Sequence, residues 1–493
     1  MPAWDLTNAR HLLRRTGFGA TRAAAQDLFD RYPTLADAVD ALLAFKPTKF
    51  KPGGRYIEDA HNHWVKYMVK SHQPLQERLV LFWHDHFATS WDKVQDVGQM
   101  QVQNRLLRIN GKGNFKTLVK AINKNPAMME FLDTARNRKH QPNENYAREL
   151  MELFTLGVNA PAADSGGAKN NYEQEDIVQI ARAFTGWDYN DKGIAELDED
   201  RHDQGDAVED WSPARGPKVI FKTRGGFNAP AGQSFDAGSN FELEIDNVID
   251  IIFQHRYGPS GNLRPTVADY VARRLITFFA HPEPSDSFVH DIVDTSSFAT
   301  AFEIQPLLRA LLLHDDFFLS AAPPTATAKK SVKWPIDYVV STLRLLGMKP
   351  KGKDLTVPGG NYDQVRGSLI DMGQTLFEPP SVFGWDWELA WVSSSTMLAR
   401  YNFARDATSA RDGGGTSFRP ERLVDLSLTD PGDIVDAVTD LLGVSDQLTT
   451  TERNAFIDYL GAGSIDLTDD DTRNRKLNGL FCLVLQSPAY QLQ

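Results

Sequence analysis

Few stretches of this 493-residue chain combine side chains that can move protons, hold ions or grip a ligand. The first is His84-Asp85-His86. Two imidazoles two residues apart commonly ligate a metal on a strand or loop. On a helix they point about 160° apart, so they chelate one ion only if the helix frays. His86 falls on an apolar stripe with Leu75, Leu79, Phe82 and Trp83, so a packed histidine competes with a proton carrier; Glu77 and His84 share a face, seven residues apart. The second stretch is the helix opened by Pro142-Asn143 and closed by Gly157. Its apolar face is Tyr146, Ala147, Leu150, Met151 and Phe154. Asn145, Glu149 and Glu152 line another face, and Glu144 and Arg148 pair at i, i+4. Carboxylates on a half-buried stripe acquire shifted pKa values and serve as general acid or base. The competing reading is a buried Arg–Glu network, with Arg148 or Arg182 as the cation. A carboxylate-bridged di-metal centre wants Glu-x-x-His on two helices, and Glu149-x-x-Glu152 departs from that.

Two further stretches carry weaker signals. Trp385, Trp387 and Trp391 alternate with Asp386 and Glu388. Exposed indoles beside carboxylates would make a sugar platform, ring faces meeting C–H faces and acids taking hydroxyls; aromatic anchors of a core would leave the same pattern. Asp188 to Glu199 has the glycine and terminal glutamate of a calcium loop, but Lys192 occupies a ligand position and repels a cation. The sequence contains no Gly-x-Ser-x-Gly elbow, no phosphate-binding Gly-rich loop, no His-Glu-x-x-His pair and no dinucleotide fingerprint, which removes lipase-like, nucleotide-driven, zinc-peptidase and dehydrogenase chemistry.

The elements that must position these groups read as helices. Asp5 caps a helix through Leu12 that ends near Gly17, and Thr21 caps Arg22 to Arg31. Helical spacing continues over 56–72, 75–89, 115–123, 143–157, 173–186, 240–256, 265–280, 303–314, 331–347, 362–372, 393–411, 432–443, 450–460 and 472–486. Residues 158–172, 188–238, 321–329 and 349–362 are rich in turn-forming types; one strand, Lys218 to Lys222, stands out among them. The expected fold is therefore all-α, multi-helical, in two packed lobes with long loop excursions and at most a small β-hairpin. The expected division is a helical lobe over 1–187, an irregular acidic excursion over 188–238 and a second helical lobe over 239–493, in one continuous unit; a single core rarely exceeds roughly 250–300 residues.

Composition narrows the function. The net charge of −12 and the short basic runs argue against a nucleic-acid partner. The single Cys482 excludes an internal disulfide and a multi-cysteine zinc site. Met1 to Arg10 lacks the apolar run of a signal peptide, and no segment is long and apolar enough for a transmembrane span.

Four segments resemble the bacterial family called domain of unknown function 1800. They are Ala9 to Gly19, Glu77 to Phe87, Asn143 to Gly157 continued by Glu175 to Trp187, and Phe383-Gly-Trp385 with Trp391 and Ser393 to Phe403; the ending Leu485 to Tyr490 matches too. Members usually carry a His-Asp-Gly-Lys hairpin after the Thr-Gly-Trp motif; here only His202-Asp203 stands as its remnant within a longer stretch. The resemblance implies relatives that are often secreted and encoded beside sulfatase-like proteins, hence an envelope or extracellular glycan.

The resulting expectation is an enzyme acting on a glycan or other polyhydroxylated polymer. Glu149 and Glu152 would be its carboxylates, His84 or His86 its proton carrier and Arg148 the orienting cation. Trp385, Trp387, Trp391, Asp386 and Asn145 would line the substrate, with Asp176 or Asp386 as an alternative second acid. No cofactor and no metal are expected in this reading. Two alternatives are a non-catalytic scaffold for a secreted, sulfatase-like hydrolase, and a helical metalloenzyme using His84, His86 and the Glu149/Glu152 helix.

Overall fold

The computed structural model describes residues 2–48, 50, 53–159, 170–205, 216–222, 233–234, 240–258, 262–321, 329–348, 362–409 and 418–493, with side chains of 362–364 excepted. The expectations for 160–169, 322–328, 349–361 and much of 206–239 lie outside these residues. The fold is all-α, with three two-stranded antiparallel pairs among the described residues.

Local sequence explains the helix starts. The Asp5 carboxylate accepts from Asn8 N–H at the head of Leu6–Thr16, and Thr21 does the same for Arg22–Arg31. Ser393 and Thr396 form a reciprocal capping box before Ser394–Thr408, as do Thr449 and Glu452 before Thr450–Leu460. Gly157, with φ of +77°, closes the Glu149 helix in the left-handed region. Several helices appear where none was expected, among them Asp286–Thr295 and the two that follow. Leu35–Leu43 starts at a Thr34 cap and Val97–Asn110 at an Asp96 cap. The second buries Gln101, Gln103 and Asn104, so its inner face lacks the apolar stripe that periodicity detects.

The strand expected over Lys218 to Lys222 narrows to Val219–Ile220, paired with Gln233–Ser234. It stops because Lys218 turns inward to Glu244 and Phe221 has φ of +57°. The other two pairs join Trp187–Tyr189 to Ala195–Leu197 and Arg256–Tyr257 to Arg264–Pro265.

One apolar core runs from Ala9 to Tyr490. Distant parts of the chain close on each other at its edge. Arg10 and Arg14 from the first helix reach Asp440 and Asp446. Ser331 exchanges backbone hydrogen bonds of 2.9 Å with Gln493.

Candidate functional site

The expected Asn143–Gly157 helix is an α-turn over Asn145–Glu149 that widens into a π-helix over Leu150–Thr155. Its apolar face is buried as the spacing required, with Tyr146, Ala147, Leu150, Met151 and Phe154 inside. Widened turns recur at functional sites because they displace side chains and release carbonyls from the helix ladder. Here the hydroxyl of Tyr270 donates to Leu153 O at 2.9 Å, and His86 Nε2 lies 3.1 Å from Phe154 O.

The polar side of this helix is a connected cluster. Arg148 donates to Glu144 at 2.9 Å and to Glu152 at 3.4 Å, and Gln174 holds both Arg148 and Glu144. Tyr172 donates its hydroxyl to Glu152. Glu149 stands half-buried beside it, and no hydrogen bond or ion pair of its carboxyl occurs among the described residues. Burial pushes the Glu149 carboxyl up to about 7, the charge of Glu152 adds to the effect and Arg148 opposes it. Burial also lifts the Tyr172 phenol above its ordinary range, with Glu152 contributing. A concavity of about 450 Å³ adjoins the cluster at Glu144, with Pro142, Val178, Gln179, Ala181 and Arg182 as its other walls. Asn145 turns elsewhere and donates to Asp133 at 2.9 Å.

The histidines belong to a different region. His84, Asp85 and His86 are all fully buried at the end of Pro74–His86. The His84 ring sits among Trp64, Phe377 and Trp385, with centroids 5.3–5.5 Å away. Burial lowers His84 to about 3 and His86 well below its usual range, so both imidazoles stay neutral. Among the described residues no hydrogen bond or ion pair joins either histidine to Glu149 or Glu152. The i, i+2 spacing on an intact helix is the reason: the two rings point into opposite parts of the core.

Asp85, between the two histidines, ties three segments together. Its Oδ1 accepts the Trp385 N–H at 2.7 Å, and Arg274 Nη2 lies 3.3 Å from its Oδ2. Gly384, at φ of +88°, presses so close that a Cβ there would lie 2.3 Å from Asp85 Oδ1. Burial raises the Asp85 carboxyl to about 7 against the pull of Arg274, the Trp385 N–H and the Trp387 indole. Only the constraint at Gly384, inside the Phe383-Gly-Trp385 motif, hinted at this packing.

That packing buries two of the three tryptophans. Trp385 and Trp391 are 2% and 3% exposed, so their faces meet core rings such as Trp334 and not solvent. Trp387 is half-buried against Trp334, with Arg274 5.7 Å over its ring. Asp386 is exposed, as are Phe383, Leu389 and Val392.

The calcium-like loop is a hairpin turn. The Asn190 side-chain Oδ1 accepts from Lys192 N–H and Ile194 N–H at 3.0 and 3.1 Å, and Glu199 starts a short helical turn capped by Asp198. Downstream, the His202-Asp203 remnant regains a lysine. Gly216 N–H bonds Gly205 O at 3.0 Å, and Lys218 then reaches Glu244 at 2.8 Å, with His202 Nε2 3.2 Å from the same carboxylate. Asp203 is bound by Arg182 at 2.9 Å; burial would raise its pKa, but Arg182 and the Gly205 N–H outweigh that and hold it low. Arg182 is thus committed to Asp203, not to the Glu149 helix. Gly205 and Gly216, eleven positions apart in sequence, are joined by that backbone hydrogen bond.

A family model described as Protein of unknown function (DUF1800) matches residues 11–492. The chain belongs to the DUF1800 family. No curated protein and no solved structure matches it. The segments that resemble the DUF1800 family converge here: the Glu77 to Phe87 and Phe383-Gly-Trp385 segments meet at Asp85, and the Glu149 helix meets the first of them at His86. Among the described residues, no three His, Cys, Asp or Glu side chains gather as a metal site, and no helix is long and apolar enough to cross a membrane.

Proposed function

We propose that this protein is an enzyme acting on a glycan or similar polyhydroxylated polymer by acid–base chemistry. Glu149 is the group that exchanges the proton, and Glu152 is its hydrogen-bonded neighbour. The observation that carries the reading is the asymmetry of the two carboxyls. Glu152 is bound by Arg148 and Tyr172, while Glu149 is unbound and titrates near neutrality beside it. Paired acids whose environments push their pKa values apart are the usual arrangement for acid–base assignment. Both acids lie on one helix, three residues apart, too near for each to flank a glycosidic bond. The reading therefore gives Glu149 the proton transfer and gives Glu152 the task of setting its pKa. The neighbouring concavity, with Glu144, Gln179 and Arg182 on its walls, offers hydroxyl partners for a sugar unit.

The test is a polysaccharide panel, scored for new reducing ends and for the ultraviolet absorbance of unsaturated uronate. Activity lost in Glu149→Gln with the fold intact is the expected result. Full activity in that variant removes the assignment.

A second reading has its own support. Phe383, Leu389 and Leu398 are 66%, 78% and 60% exposed along one segment, an apolar surface suited to a protein partner such as a secreted sulfatase-like hydrolase. Under this scaffold reading Leu389→Asp with Leu398→Asp abolishes co-purification of the partner, while Glu149→Gln does not. The metalloenzyme reading has no gathered ligand set among the described residues to support it.

A further inference from the structure

The edge of the core where the first helix meets residues 330–337 buries more positive than negative charge. Arg14, Arg15 and Lys333 are 7%, 0% and 6% exposed, and Arg78 and Arg400 lie at 1% and 0%. Lys330 stands half-buried at the rim. Arg10 joins them at 3%, and against these seven cations stand four acids among the described residues, Asp440 held by Arg10 and Arg22 and three others likewise engaged. Asp337 pairs with Arg78, Asp446 with Arg10 and Arg14, and Glu388 accepts the Val332 N–H at 3.0 Å.

Several donors at the centre are left over. Arg15 gives Nε to Phe279 O at 2.6 Å and Nη2 to Phe278 O at 3.3 Å, but its Nη1 has no partner among the described residues. Arg14 gives Nη1 to Gly443 O and Asp446, and its Nη2 has none among them. The Lys333 ammonium rests on the Tyr490 ring, 3.7 Å from the centroid. Lys330 donates to Ser320 O and Gln447. Burial, then mutual repulsion with Arg14, lowers both lysines to about 7. An uncompensated buried charge is among the costliest features a fold can carry, and an unsatisfied buried donor adds to it.

We infer that Arg14, Arg15 and Lys333 form a binding site for one small dianionic oxyanion of sulfate or phosphate size, with Lys330 at its mouth. The anion takes the free guanidinium N–H groups and offsets the surplus charge. A tetrahedral oxyanion fits better than chloride or acetate because its several oxygens can accept from more than one unpartnered N–H at once. The site is separate from the Glu149 cluster and does not depend on the catalytic reading.

The experiment is equilibrium dialysis of the full chain against radiolabelled sulfate at low concentration, with sodium chloride holding ionic strength constant. Saturable binding to a single site is expected, displaced by phosphate and not by acetate or chloride. Lys333→Met weakens it about tenfold or more, one lost charge contact being worth that much. If that variant does not fold, Lys330→Gln at the rim replaces it with the same direction of effect. Crystals grown with selenate place its anomalous signal between Arg14, Arg15 and Lys333. Non-saturable uptake, equal binding by acetate, unchanged binding in the folded variants or a selenate signal elsewhere overturns the inference.

Discussion

Asp85→Asn isolates one buried carboxyl and turns its environment into a measurable slope. Asp85 is fully buried, and its folded-state pKa of about 7 stands above the ordinary value of 3.8. Between about pH 4 and pH 7 the native state holds a proton that the unfolded state has released. Raising the pH therefore destabilises the fold, by about 1.4 kcal/mol per unit and roughly 4 kcal/mol over the window. The stabilisation is fully present below the unfolded pKa and is gone above the folded one. Asparagine keeps an oxygen for the Trp385 N–H and cannot ionise, so the variant lacks this slope. It loses the Arg274 contact, but that side chain is 25% exposed and can turn to water, which limits the cost to about 1 kcal/mol. Urea unfolding of both proteins across that pH range reads the difference directly. The wild type should lose stability relative to Asp85→Asn as pH rises. Parallel curves would refute the reasoning, and the opposite trend would mean that Arg274 holds Asp85 ionised throughout.

The other predictions rest on separate contacts. Glu149→Gln should lower kcat/KM on the active polysaccharide by about 10²–10⁴-fold with circular dichroism unchanged, and the limb of the pH–rate profile near 7 should vanish. Lys218→Met leaves Glu244 buried beside a single histidine and should cost about 3–5 kcal/mol in urea unfolding; adding Glu244→Leu should recover most of it. Gly384→Ala should destabilise by about 2–4 kcal/mol, since the new methyl would meet Asp85 Oδ1 at 2.3 Å and the backbone sits at φ of +88°.

What the chain determines by itself is mostly what neighbours within a turn decide. Asp5, Thr21 and Ser393 cap helices because their side chains reach an N–H three residues on, a relation visible in any short window. The buried face of Tyr146, Leu150 and Phe154 and the glycine stop at Gly157 follow from the same short-range geometry. The pairing of Arg148 with both Glu144 and Glu152 is equally local, and it placed one half of the candidate site. Tertiary structure decided the rest. Tyr172, which holds Glu152, lies in a loop whose path no periodicity describes. Trp385 looks like a ligand platform in sequence and becomes a core ring because Asp85, 300 residues earlier, binds its N–H. Lys218 and His202, 16 positions apart, meet on the Glu244 carboxylate, a contact that no short window of sequence shows. Burial and long-range partners set the charge state of Asp85, His84 and Glu149, and neither is a property of residue type or spacing.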